Sequence, residues 1–210
     1  MRVEILDLGI NNIYSVANAF AKILNESLDI QIIDDFKKSQ SPDLMVLPGL
    51  GHFRAGMQQI RDRKFDLLIE ASLAQGVHLA GICLGMQLLA EMSEEAPGEA
   101  GLCLIKGEVK KLPAFGQIPH VGWEGTVLAK RSNTFQSLDS KHDFYFVHSY
   151  HLNPVQDKDT LIRTKFGNHE FVSGVIRGNV LGVQFHPEKS GRAGAQFLSE
   201  IISWSRGKSD

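Results

Sequence analysis

Residues 77–92 constrain this chain more than any other stretch. An apolar run (77–82) ends in Gly81-Ile82-Cys83-Leu84-Gly85 and passes directly into a helical pattern (86–92). A strand that becomes a helix over two glycines needs a cramped elbow, whose small flanking residues let one side chain rise above the sheet. Such an elbow requires an α/β fold, with a buried sheet and helices packed on it. The raised side chain is Cys83, and the N–H groups and dipole of the following helix favour thiolate over thiol there. Cys83 is a candidate nucleophile. The competing reading is a buried structural cysteine at a strand end.

A second constellation stands far down the chain, where residues 180–185 read as a strand running straight into His186-Pro187-Glu188. Proline fixes its own φ and biases the residue before it toward extended backbone, so the spacing predicts side chains 186 and 188 on one side. A carboxylate there can hold the imidazole: cysteine attacks, His186 carries the proton, and Glu188 sets the tautomer. Taken alone, His-Pro-Glu reads as a loop; beside a cysteine elbow it becomes half of a triad.

Attack on an amide carbonyl develops an oxyanion that needs donors. The N–H of Leu84 follows the nucleophile. Pro48-Gly49-Leu50-Gly51 follows the strand pattern 44–47, so it lies at the same carboxyl edge of the sheet and its glycines allow close approach of backbone to substrate. An ordinary strand-exit turn is the alternative for that loop.

Strand and helix patterns alternate through the first half: strand 3–8, helix 14–24, strands 30–33 and 44–47, then helical segments over 54–75 closed by Gly76. This predicts a mostly parallel central sheet with helices on both faces. The second half changes to short candidates at 102–112, 144–151 and 161–166, and at 171–176 paired with 180–185 across Gly178-Asn179, which predicts an antiparallel extension. A last helix over 192–204 directs Ala195, Phe197, Leu198, Ile201 and Ile202 to the core. No repeat, low-complexity tract or linker divides the chain, so one domain over 1–210 is expected.

These motifs, in this order, resemble class I (triad-type) glutamine amidotransferases. The resemblance rests on Gly81-Ile82-Cys83-Leu84-Gly85-Met86-Gln87, Pro48-Gly49-Leu50-Gly51, His148-Ser149-Tyr150 and Gln184-Phe185-His186-Pro187-Glu188-Lys189-Ser190, and spans almost the whole chain. Within that class, Pro119-His120-Val121-Gly122-Trp123, the run 144–150 and His186-Pro187-Glu188-Lys189-Ser190-Gly191 resemble the glutaminase subunits of imidazole glycerol phosphate synthases. The resemblance implies a flavodoxin-like α/β fold and hydrolysis of glutamine through a Cys83 thioester, with Leu50 and Leu84 N–H groups holding the oxyanion. It implies that Gly51, Gln87, Ser149 and Tyr150 line the glutamine pocket, and Gln87, four residues past Cys83 on the helix, is geometrically suited to that role. It further implies a cyclase subunit as heterodimer partner that receives ammonia through a protected channel, faced by the loop 9–12 including Asn12, by Trp123 and by Lys189. A core tryptophan is the other reading of residue 123.

The chain departs from this pattern at the partner-facing edge. Asn11 stands where a glycine is expected, Glu124 where an asparagine commonly follows the tryptophan, and His52 where alanine is usual. The departures keep open a paralogous glutaminase that feeds ammonia to a sugar-amidating enzyme of surface-polysaccharide synthesis. A non-catalytic regulatory subunit and a partnerless glutamate-chain hydrolase are disfavoured, the first by the intact triad and the second by the 119–123 segment.

Composition agrees. A chain of 210 residues with 43% hydrophobic content can bury a sizeable core. A formal charge of −2 without a basic run argues against nucleic acid or an anionic membrane as partner, and no apolar window is long enough to span a bilayer. Two cysteines without a leader-like start indicate a reducing cytoplasm. His148 and His151 lack further ligands at metal spacing and phosphate-cradle motifs are missing, so neither metal nor nucleotide cofactor is expected. Cys103, alternating with Leu102 and Leu104, is expected to be a small buried apolar group.

Overall fold

The computed structural model describes residues 1–9, 13–23, 28–113, 118–130, 132–139 and 142–207. Its first half runs β1 (Arg2–Leu6), α1 (Ile13–Ala21), β2 (Asp29–Ile33), β3 (Leu44–Gly49), α2 (Phe53–Asp62), α3 (Phe65–Ala74), β4 (His78–Cys83) and α4 (Leu84–Leu88). The second half runs β5 (Met92–Ser93), β6 (Gly107–Lys111), β7 (His120–Leu128), β8 (Asp143–His148), β9 (Tyr150–Pro154), β10 (Thr160–Phe166), β11 (His169–Arg177), β12 (Val180–Val183) and α5 (Gly191–Ser205).

Nine strands form one sheet in the order β2-β1-β3-β4-β12-β11-β10-β7-β8. The pairings from β2 to β12 are parallel and those from β12 to β8 antiparallel, as the change of pattern along the sequence predicts. Parallel strands read as continuous apolar runs because both faces are covered. In β3, Leu44 and Val46 share a core with Phe20 of α1 and Phe197 of α5, whereas Met45 and Leu47 share one with Met57 of α2 and Ile69 of α3. Each such buried side chain contributes about 1.5–3 kcal/mol relative to exposure, and together they hold the carboxyl ends of β3, β4 and β12 in register. A smaller sheet, β5-β6-β9, completes the fold.

Several sequence expectations change in the structure. The helix after Cys83 ends at Leu88 instead of Met92, because the chain at 102–105 supplies the partners that another turn would have supplied: Leu102 N–H bonds Leu88 O at 2.8 Å, Leu104 N–H bonds Leu89 O at 2.9 Å and Cys103 N–H bonds Ala90 O at 3.1 Å. The same bonds remove 102–106 from the expected 102–112 strand. Cys103 there has φ +56° and is exposed, not a buried apolar group. The run 144–151 is two strands, with β8 on β7 and β9 on β6, and Ser149 is the crossing point between sheets. In α5 it is Ala193 that faces the core, and Ala195 is exposed. The strand β7 has no counterpart in the sequence reading, since Gly122 and Gly125 dilute its alternation. Val121, Trp123 and Val127 on one face are 56%, 53% and 62% exposed, whereas His120 and Thr126 on the other are buried.

Candidate functional site

Cys83 ends β4 with φ +56° and ψ −111°, a conformation L-residues rarely adopt, and costs about 1–3 kcal/mol in strain. The glycines around it are required by contact. A Cβ on Gly85 would lie 1.7 Å from Leu47 O, and one on Gly81 2.7 Å from Gly85 O. The turn holds Cys83 at 4% exposure. Its Sγ lies 3.9 Å from Val147 O and 3.7 Å from Gln184 Nε2, which donates to it.

Because β12 lies parallel to β4 with Val183 opposite Ile82, the residues that follow β12 emerge beside Cys83. His186 is extended (φ −103°, ψ 93°), but 187–189 form a single 3₁₀ turn with proline in its first turn. His186 and Glu188 thus meet across a turn and not by strand alternation: Nδ1 lies 2.7 Å from Oε1, with side chains 3% and 5% exposed. Ser190 Oγ donates to His186 O at 2.6 Å and accepts Tyr145 N–H at 3.0 Å, while His186 N–H bonds Tyr145 O at 2.9 Å. The α5 helix presses on this turn so closely that a Cβ at Gly194 would lie 1.9 Å from Pro187 O.

Burial by itself would lower the His186 pKa. The Cys83 sulfur, and then the Glu188 carboxylate, outweigh it and raise the ring from an ordinary 6.5 to about 9. Nε2 is buried without a hydrogen bond of normal geometry, although the sulfur is near enough to be the strongest group favouring the charged ring. A cysteine sulfur beside a histidine held in its charged form is a nucleophile with its proton donor alongside.

A cleft of about 240 Å³ opens over Cys83 and is lined by Leu50, Gly51, Leu84, Gln87, Ser149 and Tyr150, so the residues expected to line a pocket and both oxyanion candidates converge there. The parallel register that sets Gly49 opposite Cys83 carries Leu50 to the elbow. Gln87 is buried, and its Nε2 donates to Tyr150 O at 2.8 Å and Gln184 Oε1 at 3.1 Å. Four further residues line the cleft: Glu95, Pro119, Val147 and His148. His148 opens the His-Ser-Tyr motif and Val147 precedes it, so the motif is a usable signal for both. Glu95 sits in a loop without periodicity and accepts Phe53 N–H at 2.7 Å, tying the start of α2 to the cleft. Gln184 belonged to a quoted motif without an assigned role, and only the fold reveals its contact with sulfur.

Trp123 is exposed and packs edge-on to Tyr145 at 5.7 Å, which excludes the core reading. Lys189 is exposed, with its ammonium 5.6 Å from the Tyr145 ring centroid. Asn11 and Asn12 lie outside the described residues. His52 caps α2, its Nδ1 accepting Arg54 N–H at 3.2 Å. Among the described residues no group of three His, Cys, Asp or Glu side chains could hold a metal ion. No described helix is long and apolar enough to cross a membrane.

This geometry has close relatives. The family model for glutamine amidotransferase class-I matches residues 4–202. The chain is 43% identical over 198 residues to imidazole glycerol phosphate synthase subunit HisH of Pyrococcus furiosus, covering 94% of this chain and 96% of the relative. It is 40% identical to the subunit of the same name from Sulfurimonas denitrificans, covering 96% and 98%. Among solved structures, PurLQS from Thermotoga maritima has the same fold, with a TM-score of 0.74 at 20% identity over 97% of this chain and 98% of that one. With a cysteine elbow, a buried histidine–glutamate pair and a family match over nearly its whole length, this chain belongs to the class I glutamine amidotransferases.

Proposed function

We propose that this chain, as a single glutaminase unit over 1–210, is the glutaminase subunit of an imidazole glycerol phosphate synthase and passes ammonia to a cyclase subunit for histidine biosynthesis in the cytoplasm. The observation that carries the reading is that Cys83 lines the cleft while the parallel register of β12 on β4 brings the buried His186–Glu188 pair up beside its sulfur. The Cys83 thiolate attacks the side-chain carbonyl of glutamine, and the N–H groups of Leu50 and Leu84 hold the oxyanion. As that intermediate collapses, the C–N bond breaks, His186 gives its proton to the leaving nitrogen, and ammonia and a glutamyl thioester result. His186, now neutral, takes a proton from water, whose oxygen attacks the thioester. Glutamate and the Cys83 thiolate are released, and the imidazolium is restored. Glu188 orients the ring and steadies its charge. Trp123 and Lys189, both exposed and both against the Tyr145 ring, belong to the partner-facing surface together with Asn12.

The test is glutamate release from glutamine by the purified chain, alone and mixed with the cyclase subunit of the same organism, with and without its phosphoribosyl-nucleotide substrate. Stimulation that requires both cyclase and nucleotide is expected. Turnover that ignores them would move the acceptor to the sugar-amidating alternative, and no turnover under any condition would overturn the glutaminase reading.

A further inference from the structure

A chain of polar contacts that the reaction above does not use runs from the cleft to the exposed strand β7. Tyr150 O, at the rim of the cleft, accepts two bonds: one from Gln87 Nε2 at 2.8 Å, the other from His148 Nδ1 at 2.9 Å. His148 Nε2 lies 3.2 Å from Nδ1 of His120, and His120 Nε2 lies 3.4 Å from Glu124 Oε1. Glu124 is 37% exposed and sits next to Trp123, whereas His120 and His148 are 2% and 6% exposed.

The chemistry of these partners leaves a single arrangement of protons. A carbonyl only accepts, so His148 carries a proton on Nδ1. Burial pushes the His148 pKa down to about 3, against the pull of the Tyr150 carbonyl, so the ring is neutral and its Nε2 is an acceptor. His120 must therefore donate from Nδ1. A neutral His120 then has a bare lone pair on Nε2 facing a carboxylate, and this nitrogen has no hydrogen bond of normal geometry. Only a charged His120 satisfies Glu124. An amide at position 124, which the family pattern has, could donate to the neutral ring instead. The remaining groups against His120 are the Phe146, Phe166 and Phe171 rings of β8, β10 and β11, so among the described residues Glu124 and His148 are the titratable groups that face it.

We infer that His148 and His120 are positioning residues that fix the Tyr150 carbonyl in the glutamine pocket, and that Glu124 makes this support depend on a proton at the partner-facing strand. The inference rests on the glutaminase reading above. Burial lowers the His120 pKa and Glu124 opposes it without cancelling it, so the ring is charged, and the support complete, only at pH below the ordinary histidine value.

The test reads ring protonation and glutamine use separately, in the full chain with its cyclase partner and in a Glu124→Gln variant whose altered side chain is at a half-exposed site. Long-range proton–nitrogen NMR should show His148 neutral with its proton on Nδ1 throughout, and a His120 titration whose midpoint falls in Glu124→Gln. The wild-type KM for glutamine should rise several-fold as pH climbs through the His120 midpoint, which lies below the ordinary histidine value, with kcat moving less than about twofold. Glu124→Gln should hold KM at its low-pH value. A His148 proton on Nε2, or overlaid KM profiles with the wild type fully active, would overturn the inference alone. A wild type that never hydrolyses glutamine would overturn this inference and the glutaminase reading together.

Discussion

His186 and Glu188 are joined Nδ1 to Oε1 at 2.7 Å by a one-turn 3₁₀ helix, and that turn is held from outside by Ser190, Tyr145 and the close approach of Gly194. The pair is a local product of three residues, but its position beside Cys83 is a product of strand order.

The charge on His186 sets a pH limit. Its folded-state pKa of about 9 lies above the ordinary 6.5, so the stabilisation from the charged ring is full below about 6.5 and is lost as pH rises through about 9. Glu188→Gln removes one of the charges that raise it. The alkaline limb of kcat/KM should move from near 9 toward the ordinary histidine value, while activity survives better than in His186→Asn. Rate–pH profiles of the three proteins check this, and an unmoved limb contradicts it.

Strain at the elbow inverts a familiar ranking. Alanine normally stabilises a chain relative to glycine, but at φ +56° and ψ −111° a Cβ is the problem. Both Cys83→Ala and Cys83→Gly should lose more than about 10³-fold in glutamine turnover, with ammonia-dependent synthesis by the partner intact. Cys83→Gly should nonetheless unfold later than Cys83→Ala by about 1 kcal/mol. Thermal melts of the two variants decide it.

Gly85 has no room. With a Cβ 1.7 Å from Leu47 O, which belongs to a central strand, Gly85→Ala should cost more than about 4 kcal/mol or abolish folding. Soluble expression and a melt near the wild-type value would show that the elbow yields more than its packing implies.

Ser190 serves both strands of the site. Ser190→Ala takes from the Tyr145 N–H its 3.0 Å partner and leaves the His186 carbonyl with Lys189 N–H at 3.1 Å alone, at a cost of about 1–3 kcal/mol. Because His186 loses a tether, kcat should fall further than glutamine binding. Denaturant melts and steady-state kinetics on one preparation separate the two effects.

Trp123 is 53% exposed, so Trp123→Ala should change stability by no more than about 0.5 kcal/mol. If the ring anchors the cyclase, the same change should weaken association by about 2 kcal/mol or more. Titration calorimetry against the cyclase subunit measures it, and unchanged affinity would remove Trp123 from the interface.

Most of the chemistry was legible from local pattern. The cysteine elbow, the His-Pro-Glu end of β12 and the glycine loop after β3 are short motifs at strand ends, where local backbone rules operate. Periodicity located the parallel strands because both of their faces are apolar. It failed for β7, where exposed hydrophobics and glycines blur alternation, and over 102–106, where polar backbone is satisfied by the end of α4 instead of by a strand. Gln184 and Glu95 were invisible as site residues because their roles arise from partners far away along the chain.

By itself the sequence determined where the candidate nucleophile, base and acid stand, at strand ends, because such residue types at glycine and proline turns are chemical and local facts. Only the tertiary structure decided that they meet. Placing β12 parallel to β4 brings His186 beside Cys83, and the crossing at Ser149 brings the Tyr150 carbonyl over Gln87. Long-range strand pairing is settled by burial of both sheet faces at once, a quantity that no short stretch of sequence contains.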